Sequence, residues 1–317
     1  MALTLEEAKV GYADKVEQNV IDEFRRSSIL LDKLTFDDTI SPTGGSNLVY
    51  GYQRLETPST ASVRQINAEY SPNEAKRTKC TASPVILGGS FQIDRVIAQT
   101  SGAINEMDFQ IKEKTKAGAN YFHNLVINGT SASSGTGYVP NTFDGLKKIL
   151  TGKSTEMTTD IDISTSALLD SNYNALLDEL DTFIALLAAK PDVLMMNSKM
   201  LTKVKSAARR AGYYDRNKDD FGRTVETYNG IILMDAGQYY NGSTTEDVVS
   251  TSTPSSDAYG TTDIYAAKLG LDAFHGISVD GSKMLKTYLP DLQAPGAVKT
   301  GEVELIAGAV LKNSKMA

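Results

Sequence analysis

The chain has 317 residues, a net charge of −7 and a single cysteine, Cys80. Its length is enough for one large domain or two modest ones. The negative charge disfavours a general nucleic-acid binder, because neutralising phosphates requires clustered Lys and Arg. One cysteine excludes an intrachain disulfide and a thiolate metal cluster, and it suits a reducing compartment.

Targeting signals are missing from the sequence. The first twenty residues lack the basic flank and apolar run of a signal peptide. No stretch approaches the ~20 apolar residues that cross a bilayer. We therefore expect a soluble intracellular protein.

The N-terminal region is predicted to be an arm. A loose helical pattern over residues 5–34 ends in an apolar cluster between Ile29 and Leu34. Only that cluster has enough apolar surface to attach firmly to a core. The more polar residues 1–29 form the predicted arm.

Residues 48–82 are predicted to form an extended hairpin. Alternation typical of strands occurs at Leu48–Tyr52 and again at Ile66–Tyr70, with the turn-rich stretch "ETPSTAS" between them. Such a ribbon has few aliphatic residues to offset an ordering cost of ~1–2 kcal/mol per residue. An isolated hairpin is marginal in water. It must therefore lie on its own domain or on another chain.

The next segment combines a strand with a long helix. Residues 83–98 are predicted as a strand region interrupted by Gly-Gly, and residues 103–127 as an amphipathic helix about 37 Å long. Small residues at positions 117–119 in that helix would let another backbone come close. The stretch "TFDGLKKIL", residues 142–150, is predicted to be a short strand or turn.

Helix and strand segments alternate in the later part of the chain. A helix over 168–189, stopped by Pro191, precedes the buried strand "DVLMMN". A third helix, "NSKMLTKVKSAARR", is capped by Asn197 or Ser198, and "GIILMDAG" is a further buried strand. Residues 241–262 have the composition of a surface loop. The closing strands are predicted in "DIYAAKLGLDAFHGISVDG" and "GEVELIAGAVLKNSKMA".

The glycine-rich stretch after the long helix could suggest a phosphate site. Phosphate loops use the N–H groups at a helix N-terminus, whereas these glycines follow a helix and lie near its carbonyls. The Gly-Lys-Ser/Thr ending of a P-loop is also missing. Asn128-Gly129 is instead predicted to be a helix C-cap.

The two histidines, His123 and His275, do not form a recognisable site in sequence. No G-x-S-x-G elbow accompanies them, and two histidines with one cysteine cannot supply a tetrahedral zinc site. We expect structural or interface histidines.

One segment partly matches a calcium-binding loop. Its residues at positions one, three, five and twelve are Asp215, Asn217, Asp219 and Glu226. Position six requires glycine but is Asp220, and a strand rather than a helix is expected after Glu226. The segment is therefore predicted to be a solvated polar loop, and no catalytic, cofactor-binding or metal residue is predicted in the chain.

The third helix is basic along one side. Its cationic residues are Lys199, Lys203, Lys205, Arg209 and Arg210. We expect them to pair with acidic residues of a neighbouring subunit.

The order of these segments resembles the major capsid proteins of tailed bacteriophages with the Hong Kong 97 fold. The local matches are "VIDEFRRSSILLDKLTFDD" for the arm, "SVRQINAEYSPNEAKRTKC" for the returning half of the hairpin and "NYFHNLVING" with "FDGLKKIL" for the end of the spine helix. "PDVLMMNSKMLTKVK" and "NGIILMDAG" resemble the core of the axial domain. The resemblance implies an α+β fold.

The resemblance also implies a division into domains. The arm is residues 1–29 and the extended hairpin is residues 48–82. The peripheral domain comprises residues 30–47, 83–160 and 290–317, with its spine helix at 103–127, and the inserted α/β axial domain comprises residues 161–289.

The function implied is self-assembly, without catalysis or a cofactor, into the icosahedral shell that encloses the double-stranded DNA of a tailed bacteriophage. The partners implied are further copies in hexamers and pentamers, a separate scaffolding protein, a portal and decoration proteins, but no membrane. The shell would assemble in the host cytoplasm. Some relatives crosslink Lys to Asn; Lys76, Lys79 and Asn313 are available, but no catalytic carboxylate can be assigned, so crosslinking is not expected.

Two other functions are open alternatives. A bacterial nanocompartment shell of the encapsulin type would share the fold and enclose an enzyme instead of DNA. A soluble α/β hydrolase or a calcium-binding surface protein would need a convergent site of perturbed ionisable groups, which the sequence does not reveal.

Overall fold

The computed structural model describes residues 30–39, 48–99, 106–131, 142–212, 214–218, 224–253, 260–279 and 285–317. The predicted arm, residues 1–29, lies outside them. For residues 214–218, 224 and 225 only the backbone is described.

The helices are α1 (Leu30–Lys33), α2 (Arg95–Gln99), α3 (Glu106–Asn128), α4 (Leu146–Leu150), α5 (Ser166–Leu186) and α6 (Ser198–Ala211), with a final 3-10 turn at Ser314–Met316. The first strands are β1 (Phe36–Asp38), β2 (Tyr50–Thr57), β3 (Lys76–Ala82), β4 (Val85–Asp94), β5 (Val193–Met196), β6 (Tyr214–Lys218), β7 (Thr224–Tyr228) and β8 (Ile231–Asp235). The later strands are β9 (Gln238–Tyr240), β10 (Thr245–Asp247), β11 (Thr251–Ser252), β12 (Thr261–Thr262), β13 (Tyr265–Ala267), β14 (Phe274–Ser278), β15 (Leu285–Tyr288) and β16 (Val298–Leu311).

The long strand β16 organises the first sheet. It pairs antiparallel with β4 along one side and with β15 and β14 along the other, and β1 joins β14 in parallel. Val303, Leu305 and Ala307 are buried, while the alternating residues between them face outward, as a two-residue period requires. The Gly-Gly pair predicted to interrupt β4 lies within it, and the chain becomes helical only at Arg95.

The spine helix α3 packs on the inner face of this sheet. Phe122 and Val126 in its second half are fully buried in the core, whereas no residue between Glu106 and Ala119 is. The helix ends at Asn128, and the N–H of Gly129 donates to the carbonyl of Leu125 at 2.9 Å. The predicted helix and its C-terminal end are confirmed, although residues 103–105 lie outside the described residues.

A contact between two glycines returns the chain to the core after α3. The N–H of Gly145 donates to the carbonyl of Gly129 at 2.9 Å, and a Cβ on Gly145 would lie 2.6 Å from the carbonyl oxygen of Ile127. Helix α4 then begins at Leu146, which is fully buried. The prediction of a short strand or turn for residues 142–150 was therefore wrong, because close backbone packing directs this stretch into a short helix.

The second sheet has the strand order β13-β5-β8-β7-β6 and is packed against α5 and α6. Every residue of β5 is buried. The predicted cap of α6 is Asn197, whose side chain accepts from the N–H of Met200 at 2.8 Å and donates to Thr262 Oγ1 at 2.8 Å. The elements predicted around residues 168–189, 193–197 and 230–237 are confirmed.

One prediction in this region differs from the structure. Within the predicted surface loop 241–262, Val248 and Val249 are buried and β10 to β12 form short pairings. Strands β14 and β15, which lie within the predicted axial domain 161–289, pair with β16, and the division into domains stays a prediction. None of the described helices is long and apolar enough to cross a bilayer.

Candidate functional site

The predicted hairpin over residues 48–82 is present as β2 paired antiparallel with β3. Tyr52 lies opposite Cys80 in the register. The returning strand begins at Lys76, so the prediction that Ile66–Tyr70 forms a strand was wrong. Asn67 has a φ of 66° inside a turn, a left-handed conformation that interrupts an extended run there.

The tip of the hairpin exposes large apolar side chains. Val63 is 100% exposed, Ile66 91% and Tyr70 60%. The Arg64 guanidinium lies 5.6 Å from the centre of the Tyr70 ring and donates to the carbonyl of Ala68 at 3.1 Å. The tip thus has local contacts of its own, while Val63 and Ile66 are almost uncovered by the described chain. Exposed apolar groups close together in a chain are typical of interaction sites.

The root of the hairpin is attached to the end of β16. Arg54 donates from Nε to the carbonyl of Lys312 at 2.9 Å and from Nη2 to the carbonyl of Leu311 at 3.0 Å. The Tyr52 hydroxyl donates to the Leu311 carbonyl at 3.4 Å. These bonds fix the direction in which the hairpin leaves the body.

An aromatic contact supports the same root. The Tyr50 hydroxyl donates to Asp37 Oδ2 at 2.7 Å, and the Tyr50 ring meets His275 edge-on at 5.6 Å. Lys312 Nζ lies 5.4 Å from the centre of the Tyr50 ring. Burial, and then the bond to Asp37, raise the pKa of Tyr50, so the phenol keeps its proton and remains a donor.

The two faces of the hairpin differ. Tyr50, Tyr52 and Arg54 turn toward the body, and their cross-strand partners are on the same face. Gln53 and Leu55 face away, as do Arg77 and Lys79 opposite them. All four outward side chains are exposed. The outward face is therefore available to another molecule.

The two histidines are both buried, and they lie in different elements. His123 in α3 is 3% exposed and His275 in β14 is fully buried. Burial lowers the pKa of His123 to about 4, and burial together with nearby Lys312 lowers the pKa of His275. The described residues contain no group of three or more His, Cys, Asp or Glu that could hold a metal ion.

The stability of the folded chain is expected to fall as the pH drops from about 6.5 to about 4. Folded His123 stays neutral through this window, whereas the unfolded chain, with an ordinary histidine pKa, takes up a proton, so acid favours unfolding. The gap between the two pKa values corresponds to about 3 kcal/mol at the acidic end. Chemical denaturation of parent and His123→Gln chains across this range measures the effect.

Comparing how the free energy of unfolding depends on pH in the parent and in the variant tests this role of His123. His123→Gln should be less stable at neutral pH but should lose this part of the pH dependence, since glutamine does not titrate. An unchanged slope in the variant would show that other groups cause the acid sensitivity.

The segment that resembled a calcium loop forms part of an antiparallel pair. Asp215 and Asn217 are in β6, opposite residues of β7, and Glu226 is ion-paired with Lys205. A calcium loop of this class would be followed by a helix. Residues 219–223, which include Asp219 and Asp220, lie outside the described residues.

The basic helix α6 finds partners in its own chain. Besides Lys205 with Glu226, Arg210 pairs with Asp170 at 2.5 Å, and Lys203 donates to the carbonyl of Ser164 at 2.9 Å. These three cations thus have partners within the chain, and the expectation that the helix pairs with a neighbouring subunit stays a prediction.

Residues 76–232, about half of the chain, match the family described as SU10 major capsid protein. No curated protein matches the sequence. Among solved structures, the SrpI encapsulin of Synechococcus elongatus has a TM-score of 0.67 at 12% identity, covering 100% of this chain and 94% of that one. The capsid of Myoviridae phage XM1 has a TM-score of 0.59 at 12% identity, covering 96% and 94%.

A third similar structure is the capsid of a native GTA particle, with a TM-score of 0.59, 12% identity and coverage of 100% and 97%. At 12% identity these similarities show the fold, which is the Hong Kong 97 fold of the three structures. The family match and the phage capsid structures together support a major capsid protein of a tailed bacteriophage. Its copies associate into the capsid of the virion, a structural role.

Proposed function

We propose that each subunit is completed by its neighbours, through docking of the hairpin onto an adjacent copy in the shell that encloses the double-stranded DNA genome. The observation that carries this proposal is the hairpin itself. Its root is fixed by Arg54, while Val63 and Ile66 at its tip are almost wholly exposed. Covering such side chains contributes ~1.5–3 kcal/mol each.

The proposed domains follow the sheets. We assign residues 1–29 to an arm, 48–82 to the hairpin, and 30–47, 83–160 and 290–317 to a peripheral domain. The axial domain begins near residue 161 and ends before Phe274, because the pairing of β14 and β15 with β16 favours including them in the peripheral domain. Copies of the axial domain would meet around the centres of pentamers and hexamers.

Assembly by this route depends on many weak contacts. Each copy contributes several interfaces, and linked contacts add up to strong association without any one being strong. Closed symmetry then limits the size of the particle. A separate scaffolding protein, a portal and decoration proteins would complete the particle in the host cytoplasm. The net charge of −7 would keep packaged DNA from adhering to the wall.

A nanocompartment shell is the second candidate, favoured by the similarity to the SrpI encapsulin. At 12% identity that similarity defines the fold and not the cargo. The family match to a major capsid protein supports the phage shell instead.

Electron microscopy of the expressed chain tests the proposal. We expect closed particles, alone or with a scaffolding protein supplied in trans, and no shift of DNA by isolated subunits at physiological salt. Particles isolated from their native source should contain DNA, whereas a packaged enzyme found by mass spectrometry would favour the nanocompartment. A monodisperse monomer under all these conditions would contradict the proposal.

A further inference from the structure

One face of the β4–β16–β15 sheet is uncovered by the described chain. The spine helix packs on the opposite face, where the side chain of Lys114 lies over Gly89. On the outer face Ile86 is 68% exposed and Tyr288 51%. At the centre is a shallow groove lined by residues of β4 and β16. Exposed Ile86 and Tyr288 give this partly polar face the character of an interaction site.

The groove is acidic. Glu302 and Glu304 project from β16 on this face, beside Gly88 and Ser90 of β4. Within the described part of the chain neither carboxylate forms an ion pair, although Lys286 is the register partner of Glu304. Gly88 adds to the depth of the groove, because it has no side chain and packs against the carbonyl of Val303.

The hairpin of the same subunit does not cover this face. Its root is bonded to Leu311 and Lys312, at the end of β16 that lies farthest from Glu302. The returning strand β3 leads directly into β4, so the hairpin extends beyond the sheet. The full exposure of Val63 at the tip agrees with this direction. The occupant of the face must come from another copy or another protein.

The outward face of the hairpin complements the groove in charge and spacing. Arg77 and Lys79 are two residues apart on one strand, and so are Glu302 and Glu304, which gives a spacing of ~7 Å in both pairs. Neither cation has an ion-pair partner within the described ranges. Exposed Leu55, the cross-strand partner of Arg77, supplies an apolar group beside them.

We propose that the outer face of β4–β16–β15 receives the outward face of a neighbouring copy's hairpin, with Arg77 and Lys79 over Glu302 and Glu304. Leu55 then packs against the apolar groups around the groove, such as Ile86. This inference rests on the proposed function, that hairpins dock between copies, and adds the acceptor surface. Charge pairing would select the correct neighbour and register, while apolar burial contributes most of the affinity.

Charge reversal on each side tests the pairing. Arg77→Glu/Lys79→Glu places like charges against the groove, and we expect the yield of particles to fall about tenfold or more, since like-charge contacts cost several kcal/mol. Glu302→Lys/Glu304→Lys should have the same effect. Combining all four substitutions restores opposite charges, and we expect recovery of particles close to the parent yield, counted by electron microscopy.

Controls separate this outcome from unrelated effects. Lys153→Glu changes an exposed cation elsewhere and should assemble normally. Circular dichroism reports whether each variant is folded. If Glu302→Lys/Glu304→Lys does not fold, the isosteric variant Glu302→Gln/Glu304→Gln takes its place in the test. We expect the glutamine variant to lower the yield of particles less than charge reversal does. Parent-level assembly of either reversed pair, or of the glutamine variant where that is used, overturns the acceptor surface. So does a folded fourfold variant that does not assemble.

Failure of the proposed function can be distinguished from failure of the acceptor surface. Were the parent chain unable to form particles under any condition, the docking of hairpins and the acceptor surface would both be excluded. Were the charge variants to assemble normally while variants at the tip do not, docking would stand and only the acceptor surface would be wrong.

Discussion

Replacing Val63 and Ile66 with aspartate is expected to leave the subunit folded and to abolish assembly. Both side chains are almost fully exposed in the subunit, so it loses no contact of its own. In the shell each would bury apolar surface worth ~1.5–3 kcal/mol. Aspartate removes that contribution and adds the cost of burying a charge. Because every copy repeats the loss, particle formation should stop entirely.

Light scattering and electron microscopy measure this effect on purified subunits. The conservative exchange Val63→Ile with Ile66→Val keeps the tip apolar and should assemble. The melting temperature of the aspartate variant should equal that of the unassembled parent. Normal particles from the aspartate variant would show that the tip remains in solvent within the shell.

Gly145→Ala is expected to lower the free energy of unfolding by about 2–3 kcal/mol. The backbone φ of Gly145 is −81°, which alanine adopts easily, so the penalty is steric. A Cβ would lie 2.6 Å from the carbonyl oxygen of Ile127 and 2.7 Å from the nitrogen of Gly129. Relieving that overlap separates the end of α3 from the start of α4, and denaturant titration of unassembled subunits measures the loss.

Gly118→Ala is the matched control in the middle of α3. A Cβ there meets nothing within 4 Å in the described chain, and alanine favours a helix over glycine by ~0.5–1 kcal/mol. We therefore expect a slightly more stable subunit. Equal stability of the two alanine variants would show that the contact between Gly129 and Gly145 does not constrain the fold. Should Gly118→Ala also impair assembly, the small residues at 117–119 would be in contact with a neighbouring backbone.

The periodic elements could be predicted from sequence because their residues report burial directly. Helix α5 has apolar residues at helical spacing, and strand β5 is apolar throughout. Asn197 is of a residue type that commonly caps helices. Helix α4 could not be predicted in this way, since its position depends on a backbone contact between glycines sixteen residues apart. The burial of Val248 and Val249 was hidden by the polar residues on both sides of them.

The hairpin, too, could be predicted from sequence only in part. Its extent could be predicted from composition, but its returning strand, "KRTKCTA", has almost no apolar alternation because neither of its faces is part of a core. The apolar alternation at Ile66–Tyr70 lies at the tip, outside the paired strands. For the acceptor surface, the alternation of Glu302 and Glu304 with buried Val303 and Leu305 signals an exposed face. The strands that flank this exposed face could be identified only from the register of the sheet.

Strand β16 has a mechanical consequence that follows from its two attachments. Its end holds the root of its own hairpin through Arg54, and its middle carries the surface proposed for the hairpin of another copy. A load applied by one neighbour would then pass along a single backbone to the next. Outward pressure from the contents of the shell would then be resisted as tension through the β16 strands of successive copies around the closed shell. Each of these strands is held on both edges by its hydrogen bonds to neighbouring strands.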